Sequence, residues 1–156
     1  MSIAALTLLV STSLYTGFQA TVRLVVYPQF RGVGSADFVA YETSHQQRIS
    51  SLVGPLFAAL IVGTAAVWLR GPEGAPIWAA PAATCLLVVI LGVTGLLAVP
   101  LHRRLGAGFD EATYRRLLLV DSIRLAAAVL DTAVAVVLAF QKQRRSTPSG
   151  APSPVG

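Results

Sequence analysis

Two histidines and two aspartates are the residues of this chain with the clearest capacity for chemistry. His45 and His102 are its only histidines, and a neutral imidazole suits the role of a general base. Asp121 and Asp131 share an apolar segment with Arg124, where a carboxylate can act as an acid, a base or a ligand. These residue types predict proton transfer. In the alternative interpretation, the histidines only make hydrogen bonds near the membrane surface and the carboxylates form ion pairs that fix helix packing.

The charged residues of the last apolar segment fall on one side of a helix. Asp121, Arg124 and Asp131 lie within about 80° of one another at 3.6 residues per turn. Asp131 is near the middle of the segment, where an unpaired carboxylate costs about 2.5–3.5 kcal/mol on insertion scales. It must therefore be protonated, paired or next to water. We expect an ion pair with Arg124, or with Arg23 across the bundle; a catalytic or ligand-binding carboxylate is the alternative.

A second polar stripe runs along the first apolar segment. Tyr15, Gln19, Arg23 and Tyr27 are each four residues apart, a spacing that places them side by side on a helix. Snorkelling of Arg23 to the membrane surface would explain Arg23 and Tyr27 but not Gln19, which is too deep. We therefore predict that the stripe faces the interior of a helix bundle. The predicted substrate-binding residues are Gln19, Arg23, Tyr27, Glu42, Arg48 and Asp131.

Metal and nucleotide chemistry have weaker signals. The two histidines with Asp121 or Glu42 could form a site for iron or copper. However, no helix carries the H-x-x-x-H or E-x-x-H spacing that is typical of such sites. No metal ligand is predicted and no cofactor is expected, with iron or copper as the alternative. The sequence has no phosphate-binding glycine loop, dinucleotide pattern or nucleophile elbow.

Four long apolar segments must position these residues. They cover residues 3–26, 49–69, 77–101 and 117–140, and about 20 apolar residues are enough to cross a membrane. Only 12% of residues are charged and mean hydropathy is +0.68, whereas soluble domains are about one-quarter charged. The predicted fold is an all-α, integral membrane four-helix bundle, antiparallel, with both termini on the same side. Alternating chain direction then collects the polar residues in one layer, where they are paired or functional.

Local signals divide the chain further. Tyr27 precedes a proline, so the first helix is predicted to end there. Ser35 or Asp37 is predicted to cap the second helix, which then enters the membrane without a break, and Asp110 starts the fourth. Gly92 and Gly95 predict close helix packing. Residues 1–145 form the predicted membrane domain, and residues 146–156, rich in Pro, Ser and Gly, are predicted to be disordered.

The net charge of +5 does not indicate nucleic-acid binding, because most basic residues flank the apolar segments. The predicted partners are the lipid bilayer and a lipophilic small molecule, and a homo-oligomer remains open. The loop layer contains Arg31, Arg48, Arg103, Arg104, Arg115 and Arg116, and the layer of the termini contains Arg70, Lys142, Arg144 and Arg145. The positive-inside rule favours a cytoplasmic loop layer. Several of these arginines are candidate site residues, so the sidedness stays open.

Four short motifs carry a resemblance to known proteins. They are Tyr27-Pro28-Gln29-Phe30, His45-x-x-Arg48-Ile49, Val99-Pro100-Leu101-His102-x-x-Leu105 and Asp121-x-Ile123-Arg124. With them, residues 5–140 resemble a group of small four-span bacterial membrane proteins. That group is more distantly similar to the anthrone oxygenase-like family, whose fungal members oxidise an anthrone to an anthraquinone without an evident cofactor. This chain has Asp121-Ser122 where we expect asparagine followed by tryptophan in such proteins.

The resemblance implies a membrane-embedded enzyme that oxygenates an activated carbon acid, in a bacterial cytoplasmic membrane. Such a reaction needs a base, here His102 or Asp121, and positive charge to hold the anion. The candidate anion-stabilising residues are Arg23, Arg48 and Arg124. Acid-initiated cyclisation or isomerisation, with Asp121 or Asp131 as the acid, is also open. The substrate would be polycyclic or isoprenoid-like and would enter from the bilayer.

A non-enzymatic membrane partner or stabiliser subunit is the competing interpretation of the same residues. In that case the buried charges would serve only to set helix packing. Tight pairing of all the charges, with no cavity between the helices, would favour this second interpretation. A pocket of a few hundred Å³ lined by Tyr27, His45 and His102 would favour the enzyme.

Overall fold

The computed structural model describes residues 1–141, which form four long helices joined by short turns. We label them α1 (Ile3–Gly32), α2 (Phe38–Arg70), α3 (Ala79–Leu105) and α4 (Glu111–Ala139), and each is long and apolar enough to cross a membrane. The predicted domain end at 145 and the predicted disorder of 146–156 lie outside the described residues.

Two buried clusters at opposite ends of the bundle define the helix directions. One contains Leu8 near the start of α1, Val67 near the end of α2, Ala83 near the start of α3 and Leu138 at the end of α4. The other cluster joins the opposite helix ends, with Phe30, Phe38, Leu105 and Leu117 among its members. Neighbouring helices are therefore antiparallel, and the first and last described residues lie at the same end. This confirms the predicted four-helix antiparallel bundle.

The prediction that the first helix ends at Tyr27 is wrong. The backbone of Tyr27 is helical, with φ −64° and ψ −38°, and the helix continues through Pro28 to Gly32. A π-helical turn at Val22–Val26 makes this possible, because the Tyr27 N–H bonds to the carbonyl of Val22, five residues back. A proline lacks an N–H and its ring crowds the carbonyl four residues before it. The wider turn relieves that crowding.

α3 also contains a π turn before a proline, in the same layer of the bundle. Its π turn covers Thr94–Ala98, and the Val99 N–H bonds to the carbonyl of Thr94 just before Pro100. Each π turn adds one residue to its helix turn and so changes which face the following side chains occupy. In α1 these side chains include Tyr27, and in α3 they include His102.

The predicted close packing at Gly92 and Gly95 is wrong, since a Cβ placed at either position would meet no atom of another helix within 4 Å among residues 1–141. The close helix contact is at Gly63 of α2 instead. A Cβ there would lie 2.6 Å from Ser11 Oγ and 3.0 Å from the Cα of Leu8. Two small residues, Gly63 and Ser11, thus let α1 and α2 approach each other. This close approach lies away from the loop layer, at the end of the bundle that contains Leu8.

The helix starts agree with the sequence in part. α2 runs unbroken from Phe38 to Arg70, as predicted, and Asp37 precedes it without a capping bond from its side chain. Asp110 caps α4 through its Oδ2, which accepts a hydrogen bond from the Thr113 N–H at 2.7 Å. Both starts lie in the loop layer, next to the polar residues described below.

Candidate functional site

Three helices meet at the side chain of His102. Its Nδ1 lies 2.6 Å from Glu42 Oε1 on α2, and its Nε2 lies 3.1 Å from the Tyr27 hydroxyl on α1. Glu42 is fully buried and Tyr27 nearly so. A carboxylate at Nδ1 favours the tautomer with its proton on Nδ1, which leaves Nε2 to accept a proton from Tyr27. The contacts therefore form a continuous chain from carboxylate to imidazole to phenol.

Gln46, which was not among the predicted site residues, fixes this chain in place. Its Nε2 donates to Glu42 Oε1 at 3.1 Å and to the backbone carbonyl of His102 at 3.1 Å. Gln46 follows Glu42 by four residues, a spacing that places both side chains on one face of α2. From that spacing, Gln46 could have been predicted as a partner of Glu42. Gln46 holds the end of α3 against α2 and orients the carboxylate at the same time.

A second buried network surrounds Asp121 on α4. Its Oδ1 accepts hydrogen bonds from Gln19 Nε2 and, at 3.2 Å, from Arg124 Nη1. Arg124 Nη2 also donates to the hydroxyl of Tyr15 at 3.3 Å. Tyr15 and Gln19 are fully buried, so the predicted inward orientation of the stripe on α1 is confirmed for them and for Tyr27. The network joins α1 to α4 and fixes the position of the guanidinium group.

A cavity of about 250 Å³ lies between these two networks. Its polar wall includes Tyr27, His45, His102 and Arg124. Its apolar wall includes Phe18, Val22, Ile49 and Val53. The cavity has the size and the lining residues that were expected of an enzyme. Its wall presents imidazole, phenol and guanidinium groups to one apolar space.

His45 contributes a ring nitrogen that is unpaired within the described part of the chain. Its Nε2 is buried and has no hydrogen-bond partner among the described residues. Its ring lies 5.7 Å from the ring of His102 and 6.3 Å from that of Tyr27, measured between centroids. Buried polar atoms are normally bonded. His45 thus lines the cavity, while its Nε2 is a buried polar atom without a partner in residues 1–141.

Five of the six predicted substrate-binding residues, all except Tyr27, do not line this cavity. Arg48 is exposed and lines a separate groove with Tyr41 on the outer side of α2. Arg23 is half-buried and its Nε donates to Ser122 Oγ at 3.1 Å. Asp131 lies outside the lining as well. Gln19 bonds to Asp121 and Glu42 bonds to His102, and neither reaches the cavity. Tyr27 is part of the cavity wall.

The predicted ion pair of Asp131 with Arg124 or Arg23 is wrong. Asp131 is fully buried, and neither of its carboxylate oxygens has a partner among residues 1–141. It follows Arg124 by seven residues, about two turns or 10 Å along the helix. Arg124 extends its guanidinium toward Asp121 and Tyr15, and Arg23 bonds to Ser122 instead.

Within the described residues, no group of three or more His, Cys, Asp or Glu side chains is placed to hold a metal ion. His45 and His102 are neighbours, but both ring nitrogens of His102 already contact Glu42 and Tyr27. The expectation that no cofactor is needed stays a prediction.

The arrangement can move a proton at the cavity wall. His102 can accept a proton through Nε2, either from Tyr27 or from a bound molecule, and Glu42 stabilises the resulting imidazolium. Arg124 belongs to the Asp121 network and also lines the cavity. Its fixed positive charge can stabilise a negative charge that develops on a molecule in the cavity. Base and cation thus face the same apolar space.

Comparisons of the chain with protein-family models, with curated proteins and with solved structures gave no match.

Proposed function

We propose that this protein is a membrane-embedded enzyme that removes a proton from a lipophilic carbon acid. The observation that carries the proposal is the chain Glu42–His102–Tyr27, which ends at the wall of an apolar cavity that also contains Arg124. A base and a preorganised cation around one space are the groups that carbanion or enolate formation requires.

Each residue of the site has a separate role in this proposal. His102 is the base, and Glu42 holds its tautomer and stabilises its charged form. Tyr27 passes the proton between the substrate and His102, or donates a hydrogen bond to the anion. Arg124 stabilises the anion. Asp121 and Gln19 act through Arg124 by holding the guanidinium in place, so we assign them as positioning residues.

The cavity supports a lipophilic substrate. Part of its wall is apolar, with Phe18, Val22, Ile49 and Val53, which suits an apolar molecule. Following the resemblance, the anion would react with dioxygen, and an anthrone would yield an anthraquinone and water. Isomerisation of the anion without dioxygen is the second outcome open to the same residues. The resemblance also supports residence in a bacterial cytoplasmic membrane.

The competing proposal is a non-enzymatic partner or stabiliser subunit. It is favoured by the network of Gln19, Asp121 and Arg124. This network joins α1 to α4 and does not require that the cavity bind a substrate. A homo-oligomer would fit either proposal. The two proposals differ in one respect: only the enzyme requires that the proton chain of His102 be intact for a measurable reaction.

The test uses anthrone as a probe carbon acid and the purified full chain in lipid nanodiscs. Deuterium exchange at the acidic carbon is measured without dioxygen, and oxygen uptake is measured with it. We expect the protein to accelerate exchange, and His102→Gln to lower the rate by about 10²-fold, the typical scale for a positioned base.

Tyr27→Phe and Tyr41→Phe form a matched pair in this test. Both remove one phenol oxygen from the loop layer, but only Tyr27 contacts His102, and Tyr41 lines the outer groove. We expect Tyr27→Phe to slow exchange and Tyr41→Phe to leave it unchanged. No acceleration by the unmodified protein, or equal rates in every variant, would reject acid–base catalysis of this class and favour the partner subunit.

A further inference from the structure

A groove on the outer side of the bundle, between α3 and α4, combines arginines with apolar residues. Its volume is about 340 Å³, and it shares no lining residue with the cavity described above. Arg104 of α3 and Arg116 of α4 line it, together with Leu97, Leu101 and Leu119. It is therefore a separate site, and it faces the lipid.

The two helices place these residues in the same order of depth. α3 runs toward the loop layer, and Arg104 follows Leu97 by seven residues, about 10 Å along the axis. α4 runs away from the loop layer, and Arg116 precedes Leu119 by three residues. Although the helices are antiparallel, both have their arginine at the loop layer and their leucines deeper in the bundle. The groove is thus cationic at the membrane surface and apolar beneath it.

The positive charge at the mouth of the groove is not neutralised by the carboxylates around it. Within residues 1–141, neither Arg104 nor Arg116 lies within 4.0 Å of a carboxylate. Glu111 is held by Arg31 and by Arg115, whose Nε lies 2.8 Å from Glu111 Oε1.

Asp110 is the other carboxylate at this mouth. Hydrogen bonds from Thr113 lower the pKa of Asp110, so it is ionised at neutral pH, and the charge of Arg116 adds to that effect. Two arginines against this one carboxylate leave one positive charge in excess. The mouth therefore keeps a net positive charge.

We infer that this groove binds an anionic phospholipid, with the phosphate between Arg104 and Arg116 and an acyl chain against Leu97 and Leu119. A guanidinium group can donate two parallel hydrogen bonds to phosphate oxygens. Basic pockets between membrane helices suit anionic headgroups. The assignment does not depend on the proposed enzyme activity, because the groove and the cavity share no residue.

Native mass spectrometry of the full chain in detergent tests the site, with phosphatidylglycerol and phosphatidylcholine of the same acyl chains as probes. We expect tighter retention of phosphatidylglycerol. Arg104→Gln/Arg116→Gln should weaken it by about tenfold or more, since each arginine near an anionic surface contributes about a few-fold to affinity. Phosphatidylcholine, whose phosphate charge is balanced by its choline, should lose less affinity than phosphatidylglycerol.

Arg48→Gln/Arg103→Gln is the matched control, because it removes the same charge from the same layer but leaves the groove intact. Equal loss of phosphatidylglycerol in both double variants would show only a surface charge effect and would overturn the site. Displacement of the lipid by soluble glycerol phosphate would overturn the acyl part of the assignment.

Leu97→Trp tests the groove without changing any charge. The larger ring should fill the apolar part and lower phosphatidylglycerol retention, while the arginines remain. If the double arginine variant fails to fold, Leu97→Trp still tests the proposal. Unchanged phosphatidylglycerol retention in Leu97→Trp would contradict a lipid chain in the groove.

Discussion

Glu42 and Asp121 are both fully buried carboxylates, but they hold different partners. Glu42 contacts an imidazole whose charge can change, and Asp121 contacts a guanidinium whose charge is fixed. A carboxylate beside a titrating group can take part in proton transfer, whereas one beside a permanent cation mainly sets the position of that cation. This difference separates the two networks at the scale of single residues.

Asp121→Asn tests the positioning role. The amide keeps the shape and removes the negative charge, so the chain should fold, while Arg124 loses its ionic partner. We expect anthrone deuterium exchange to slow by about tenfold or more. Because Asp121 acts through Arg124, the double variant Asp121→Asn/Arg124→Gln should be no slower than Arg124→Gln alone. Fully additive losses would assign Asp121 a role of its own.

Asp131→Asn should raise stability, because this carboxylate is buried without a partner among the described residues. Removing the free-energy cost of a buried, unpaired carboxylate should stabilise the fold by up to about 3 kcal/mol at neutral pH. Reversible unfolding in mixed micelles gives the measurement. Asp121→Asn makes the same chemical change at a paired position and should lower stability. A destabilised Asp131→Asn protein would mean that this carboxylate serves a function or contacts water.

At the scale of elements, the two π turns decide which residues reach the site. Val22–Val26 and Thr94–Ala98 each end one residue before an X-Pro step, and they lie in the two helices that supply Tyr27 and His102. An α-helix without the extra residue would turn the following side chains by about 100°. The contact between Tyr27 and His102 therefore depends on the wide turns.

Pro28→Ala should weaken the contact between Tyr27 and His102. Alanine supplies the missing N–H, so the turn at Val22–Val26 can return to α-helical bonding and move Tyr27 away from His102. We expect exchange activity to fall by about tenfold or more with helix content unchanged by circular dichroism. Pro55→Ala is the matched control, since Pro55 lies inside α2 without a π turn. Equal activity in both variants would contradict this role of the turn.

At the scale of the whole molecule, the up-and-down order of four helices fixes the topology. The first and last described residues lie at one end of the bundle, and the candidate site and the arginine-lined groove lie toward the other. The proposed catalytic site and the proposed lipid groove therefore both lie toward the loop layer.

Tags at the two termini should lie on the same side of the membrane. Four crossings require it, and protease protection of intact and opened vesicles measures it. We expect both tags to be cleaved under the same condition. A cysteine introduced in the loop at Gly106 serves as the control and should be labelled from the opposite side. Opposite accessibility of the two tags would contradict the four-span topology.

The sequence by itself determined the four spans, their alternating direction and the layer in which the polar residues collect. Hydrophobic length and helical periodicity are local properties, so they can be read from neighbours along the chain. The inward orientation of Tyr15 and Gln19 followed from their spacing of four residues, whereas that of Tyr27 depends also on the π turn before it.

The tertiary structure alone decided which of these residues are partners. Glu42 contacts His102, Arg124 contacts Asp121 and not Asp131, and Gln46 joins two helices that are distant along the chain. Such pairings depend on the rotation and depth of each helix relative to its neighbours, and two unforeseen π turns alter that rotation. A shift of one residue turns a side chain by about 100°, so partner choice and the cavity between the networks are set only when all four helices are packed.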